Sequence, residues 1–213
     1  MSTDSTPSTR ITRQVVSIFE SYGAGASHVG PEVAARLGLP YVGQGHSSAE
    51  LEAADPKGSG RVNLTSFYAA LAWTDTVTTP LIEDPMRARA KEQATLVYDL
   101  MQDGGVILGR NGTVILSQVP GSLHVKLDAP VDYRVQRACQ VAGISREQAD
   151  LRRRREDTAR AEMSLALWGW DPRMTDHFDL VINTEKFGLD AAVDMIVTAA
   201  RSVYAAASPA QPS

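Results

Sequence analysis

The sequence predicts an α/β protein of three layers, with helices packed on both faces of a parallel sheet. Two observations lead there. Short, largely apolar runs such as Gly105-Val106-Ile107-Leu108 and Leu180-Val181-Ile182-Asn183 recur along the chain, and segments of helical periodicity stand between them. Wholly apolar strands belong in a sheet covered on both faces, and alternation of strand with helix is the pattern of layered α/β folds.

The first element has the clearest order. Residues 14–37 read Gln-Val-Val-Ser-Ile-Phe-Glu-Ser-Tyr-Gly-Ala-Gly-Ala-Ser-His-Val-Gly-Pro-Glu-Val-Ala-Ala-Arg-Leu: a β-branched run, a small-residue turn, then helical periodicity. Gly23 and Gly25 carry no Cβ and accept positive φ, so backbone N–H groups at the mouth of the helix can converge on an anion. Ser27 adds a hydroxyl in the first helical turn, where a magnesium-bound nucleotide needs one. The full P-loop pattern has a lysine before that hydroxyl, and Ala26 stands in its place. A charge-assisted hydrogen bond to phosphate contributes about 1.5–3 kcal/mol, so another cation must replace it or activity falls. A glycine turn between any buried strand and helix would look similar, and that plainer reading stays open.

Further along, Gly38-Leu39-Pro40-Tyr41-Val42 reads as a turn and a second strand. Residues 43–79 are irregular and glycine-rich, with two amphipathic pieces, Ser47 to Ala54 and Leu64 to Trp73, and are expected to hold an inserted acceptor-binding region. Pro80 to Gln102 is expected to be a long helix, with Ala90, Ala94, Val97, Leu100 and Met101 on its apolar positions. The strand at 105–108 runs into Gly109-Arg110-Asn111-Gly112, which puts a guanidinium at the carboxyl end of a central strand, the edge where open α/β sheets bind ligands. Leu123 to Leu127 is the next strand, Val131 to Ala142 a helix bearing Arg134 and Arg137, and Leu189 to Tyr204 the last helix. Arg134 and Arg137 can serve a ligand or pair with Asp128, Asp132 or Asp150. Asp128 itself could be a second magnesium-site acid or cap the following helix.

Ser145 to Leu167 is densely charged. Ser145 and Gln148 fit a capping box stapled by Ile144. Spacing aligns Arg153, Asp157, Arg160 and Ser164 along one stripe, and Arg152, Glu156 and Arg160 along another. A solvated helix laced by ion pairs explains such a run. Because Trp168-Gly169-Trp170-Asp171-Pro172 follows, a mobile arginine-bearing hairpin also does.

Composition sets outer bounds. The chain has 213 residues, 43% hydrophobic and 22% charged, which suits one soluble domain with a small lid. A net charge of -4 argues against general nucleic-acid binding, despite the local run Arg152 to Arg155. Cys139 is the only cysteine, which excludes an intrachain disulfide and fits a reducing cytoplasm. With no apolar run of about 18 residues and a polar N-terminus, neither a membrane span nor a signal peptide is expected. Residues 1–12 and 206–213 read as disordered tails around a domain at 13–205. His46, His124 and His177 lack metal-ligand spacing, and Trp168 and Trp170 are expected to cap a core or an interface.

Four stretches together resemble the cytidylate kinase-like branch of the P-loop nucleoside monophosphate kinases. They are Tyr22 to Gly30, Gly109-Arg110-Asn111-Gly112-Thr113-Val114, His124 to Pro130 with Arg134 and Arg137 after it, and Arg153 through Asp157 to Arg160 before Phe178 to Thr184. The resemblance spans roughly 14–205 and is thin between 43 and 95. It implies a parallel five-stranded P-loop kinase fold with an acceptor-binding insertion at 43–95 and a helical lid at 143–172. It also implies a nucleotide cradle made of Gly23, Ala24, Gly25, Ala26, Ser27 and His28, with ATP as donor and Mg2+ at Ser27. Arg110 and Asn111 would meet the acceptor, Arg134 and Arg137 a phosphate or base, and Arg110, Arg153 and Arg160 the transferring phosphate. The implied activity is ATP-dependent phosphorylation of a CMP-like nucleoside monophosphate or similar small acceptor by positioning and charge neutralisation. A nucleotide-binding sensor that has lost turnover, and a small-molecule kinase outside nucleotide metabolism, are the alternatives. Three positions bear on the activity: Ala26 lacks the lysine of the full P-loop, as loops of this branch often do; Asn111 stands where cytidylate kinases carry an aspartate; and Glu20 replaces the branch's usual arginine just before the cradle, where an acid is expected to repel phosphate.

Overall fold

The computed structural model describes residues 13–45, 47–54 and 85–207. Five parallel strands run through them, β1 (Val15–Glu20), β2 (Tyr41–Val42), β3 (Gly105–Leu108), β4 (Leu123–Asp128) and β5 (Leu180–Asn183), in the order β2-β3-β1-β4-β5. β1 is central, with Val16 opposite Val106 on one side and Leu123 on the other. Its Val15, Val16, Ser17 and Ile18 are all buried, as a strand covered on both faces requires.

The helices are α1 (Ala26–Leu37), α2 (Ser48–Ala54), α3 (Pro85–Met101), α4 (Gly112–Ile115), α5 (Val131–Ala142), α6 (Arg146–Trp168), α7 (Thr184–Phe187) and α8 (Leu189–Ala207). α1 and α8 cover one face of the sheet through Val29, Val33, Val193 and Ile196. On the other face Val97 and Met101 of α3 and Ile115 of α4 pack on Val15 and Ile107. This is the three-layer fold the sequence predicts, a parallel five-stranded sheet with helices on both faces.

Several boundaries differ from expectation. The third helix begins at Pro85, and residues 80–84, like Leu64 to Trp73 and the tail at 1–12, lie outside the described residues. The last helix runs on to Ala207, two residues into the expected tail. The segment after Ser145 is one helix of 23 residues, not a hairpin. Its capping box is present, with the Gln148 N–H donating to Ser145 Oγ, and Gly169 ends it in the left-handed conformation. The four-arginine run is internally paired: Arg152 and Arg155 meet Glu52 of α2, and Arg153 and Arg154 meet Asp150. The two pairs with Glu52 dock α2 onto α6.

Among the predicted structural side chains, buried His124 bridges Ser17 Oγ at 2.7 Å and Ser122 Oγ at 3.0 Å, and burial lowers its pKa. Buried Trp170 packs edge-on against Phe19. Asp128 accepts the Ala129 N–H and stands 3.8 Å from Arg134.

Candidate functional site

The turn between β1 and α1 is a backbone nest. Gly23 and Gly25 have φ of 86° and 107°. A Cβ on Gly23 would lie 2.5 Å from the Arg134 carbonyl oxygen, so both the dihedral and the packing demand glycine there. The loop is braced from below: Asp157 accepts the Tyr22 N–H at 2.9 Å, while Arg134 donates to the Tyr22 carbonyl at 3.0 Å and to Asp157 at 2.9 Å. Arg134 also donates to the Ala129 carbonyl, and it is buried. Its donors therefore fix the loop.

The helix start has no capping side chain of its own. Glu20 supplies one from the end of β1: its Oε1 accepts the Gly25 N–H at 2.7 Å and the Ala26 N–H at 3.1 Å. The acid expected to repel phosphate occupies the nest itself, and these N–H groups thereby display their capacity to bind an oxyanion. Ala24 and Ala26 turn inward to the core, both fully buried, whereas Ser27 and His28 are exposed, His28 Nε2 standing 3.4 Å from Asp190. Arg137 is the nearest cation, its Nε 3.3 Å from the point a Gly25 Cβ would occupy.

Two cavities open at the carboxyl edge of the sheet. The one over the nest, about 430 Å³, is lined by Gly23, Gly25, Ser27, Tyr22, Tyr41, Arg137 and Glu156. The other, about 540 Å³, lies between the end of β3, α3 and α6, and is lined by Arg110, Asn111, Gln93, Glu92 and apolar Leu96, Val97, Met163 and Leu167. Glu20, Gln44, Leu108 and Arg160 line both, so the two cavities share a wall.

Arg160 spans that wall. It donates to the Glu20 carbonyl at 2.8 Å, to Gln44 Oε1 at 3.3 Å and to Glu156 Oε2 at 2.5 Å. Glu156, 1% exposed, also takes the Ser48 hydroxyl; burial raises its pKa, with Arg160 opposing. Arg110 is held by the carbonyls of Gly43 and Gln44 at 3.0 and 3.3 Å. No carboxylate pairs with it among the described residues, and burial lowers its pKa. A half-buried guanidinium bound to neutral carbonyls keeps a charge that an anion could balance.

Of the residues named from sequence, Gly23, Gly25, Ser27, Arg137, Arg110, Asn111 and Arg160 line the two cavities. Arg134 braces the loop beneath them. Arg153 lines neither cavity and pairs with Asp150 at 2.8 Å and Asp157 at 3.7 Å. Gln44 and Gln93 escaped sequence reading, and Glu156 enters it only as a rung of the charge ladder with Arg152 and Arg160. Among the described residues no three His, Cys, Asp or Glu side chains converge to hold a metal. Magnesium needs few protein ligands when phosphates supply oxygens, so the Ser27 hydroxyl beside an oxyanion nest fits a magnesium nucleotide.

The sequence model described as the cytidylate kinase-like family matches residues 15–186. A Thermococcus sibiricus protein named cytidylate kinase is 34% identical over 82 residues, 38% of this chain and 42% of that one. A Corynebacterium glutamicum protein named uronate isomerase is 40% identical over 108 residues, 51% of this chain. The chain thus spans only 21% of one curated relative and 42% of the other. The solved structure of an uncharacterised protein from Eubacterium ventriosum ATCC 27560 shares the fold with a TM-score of 0.60 at 18% identity, over 89% of this chain and 99% of that one. With 172 residues matched in order, nest and Arg110 turn included, the chain belongs to the cytidylate kinase-like family.

Proposed function

We propose that the protein is a small-molecule kinase that moves the terminal phosphoryl group of ATP onto an anionic acceptor such as a nucleoside monophosphate. The observation that carries this reading is the shared wall, with an oxyanion nest on one side, on the other a guanidinium with no carboxylate partner among the described residues, and Arg160 between. Transfer between two bound anions needs such an arrangement, because it depends on positioning and on cations at the point of transfer. The acceptor oxygen forms a bond to phosphorus as the bond to the β,γ-bridging oxygen breaks, leaving ADP and the phosphorylated acceptor.

In this account Gly25 and Ala26 N–H groups bind phosphate oxygens, Ser27 is the residue that would hold magnesium, and Arg137 stands in for the missing lysine. Magnesium supplies charge neutralisation on the phosphates when bound. Arg110 holds the acceptor anion, and Arg160 meets the transferring group. α6, which carries Arg160, would act as the lid that excludes water.

One observation favours a second reading. Glu20 already satisfies the nest N–H groups, and a chain that keeps them so would be a nucleotide-responsive module without turnover. Phosphorus NMR of the protein with ATP, magnesium and CMP, dCMP, UMP, AMP and GMP separates the two. A new diphosphate from one acceptor is expected. ATP left intact with every acceptor contradicts nucleoside monophosphate kinase activity and favours the module.

A further inference from the structure

We infer that Gln93 reads the acceptor, selecting an anion that also carries a neutral hydrogen-bond acceptor, a carbonyl oxygen or an unprotonated ring nitrogen. The inference rests on the larger cavity being the acceptor site. It follows from a chain of hydrogen bonds whose direction is fixed by chemistry. The Trp168 indole nitrogen can only donate. It lies 2.9 Å from one atom of the Gln93 amide, which is therefore the oxygen, Oε1. Asn111 Nδ2 donates to the same oxygen at 3.0 Å, and Asn111 Oδ1 in turn accepts the Ser164 hydroxyl at 2.6 Å.

Both lone pairs of Gln93 Oε1 are thus committed, and both amides are locked in one orientation. The remaining end of Gln93 is Nε2, with two N–H groups and no partner among the described residues. Gln93 is half-buried on the wall of the cavity that contains Arg110, and Asn111 ties it to the residue beside that guanidinium. A pre-oriented donor near an anion site discriminates strongly, because a ligand without the matching acceptor leaves that donor unpaired. Trp168 and Ser164 both belong to α6, so the same network registers the donor to the helix that carries Arg160.

The test is calorimetric titration of the full chain with CMP, UMP, AMP and GMP, each measured against ribose 5-phosphate, which has the phosphate but no base. Gln93→Glu keeps an oxygen for Trp168 and Asn111 while turning the free end from donor to acceptor. The added charge weakens every phosphate ligand alike, so the ratio of monophosphate to ribose 5-phosphate affinity is the readout. That ratio is expected to fall by about threefold to tenfold for the preferred monophosphate. Trp168→Phe, which releases the amide without removing it, is expected to lower the ratio less. An unchanged ratio in Gln93→Glu, with Arg110→Ala still weakening binding of both compounds, overturns the role of Gln93 and leaves the acceptor site standing. Absence of any Arg110-dependent binding removes the acceptor site and Gln93 with it.

Discussion

The two sides of the shared wall differ in how their charge is balanced. In the nest, the backbone donors of Gly25 and Ala26 are met by the protein's own Glu20 carboxylate. In the larger cavity, Arg110 is met among the described residues only by neutral carbonyls. A site that supplies its own counter-ion must release it before a ligand enters, whereas a site that leaves its cation uncompensated draws an anion directly. The acceptor side is therefore expected to bind readily, and the nucleotide side to bind at the cost of displacing Glu20.

That contrast can be broken by substitution. Arg110→Ala removes the acceptor cation and is expected to weaken acceptor binding by about ten- to a hundredfold, as a charge-assisted hydrogen bond of about 1.5–3 kcal/mol implies, while ATP affinity holds. Steady-state kinetics with varied acceptor checks it, and an unchanged acceptor KM removes Arg110 from the site. Arg160→Ala leaves the buried Glu156 carboxylate without its cation and takes a charge from the transfer point. The expected outcome is a kcat lowered about tenfold or more with a smaller loss of nucleotide affinity, together with a lower Tm. Equal loss of kcat and affinity would argue against a role at the transferring group.

Glu20→Gln sharpens the comparison from the other side. With a neutral group competing for the nest, ATP is expected to bind about three- to tenfold more tightly, measurable by calorimetry. Weaker binding would make Glu20 a ligand-holding group instead. The smallest effect concerns pH. Burial holds the Glu156 pKa above its ordinary value of 4.5, so the folded chain binds more protons than the unfolded chain above that pH. Stability from this group is full below 4.5 and falls as pH rises through the raised folded value. Thermal melts of wild type and Glu156→Gln between pH 5 and 8 should show the wild type losing Tm relative to the variant as pH rises.

The sequence made legible whatever depends on neighbours in the chain. The nest follows from Gly23 and Gly25 between a β-branched run and a helix, and Arg110 from an apolar strand ending at a glycine. The capping box of α6 lies within four residues. What stayed hidden depends on partners brought from afar. Arg134 could be given to a ligand or to an acid by spacing alone, and only the fold brings Asp157 and the Tyr22 carbonyl to it. Arg153 shares a stripe with Arg160, yet its guanidinium is taken by Asp150 and Asp157 of its own helix, and it lines neither cavity. Gln93 carried no signal of its own, because Trp168, which orients it, is 75 residues away. For Glu20, charge predicted repulsion, whereas geometry lets a side chain five residues back fold over the helix start.

The most direct test of the account is a crossed titration: ATP with magnesium, and the preferred monophosphate, each measured against wild type, Glu20→Gln and Arg110→Ala. The account predicts that Glu20→Gln tightens ATP alone and Arg110→Ala weakens the monophosphate alone. If either substitution moves both ligands equally, the two cavities do not divide donor from acceptor, and the kinase assignment loses its structural basis.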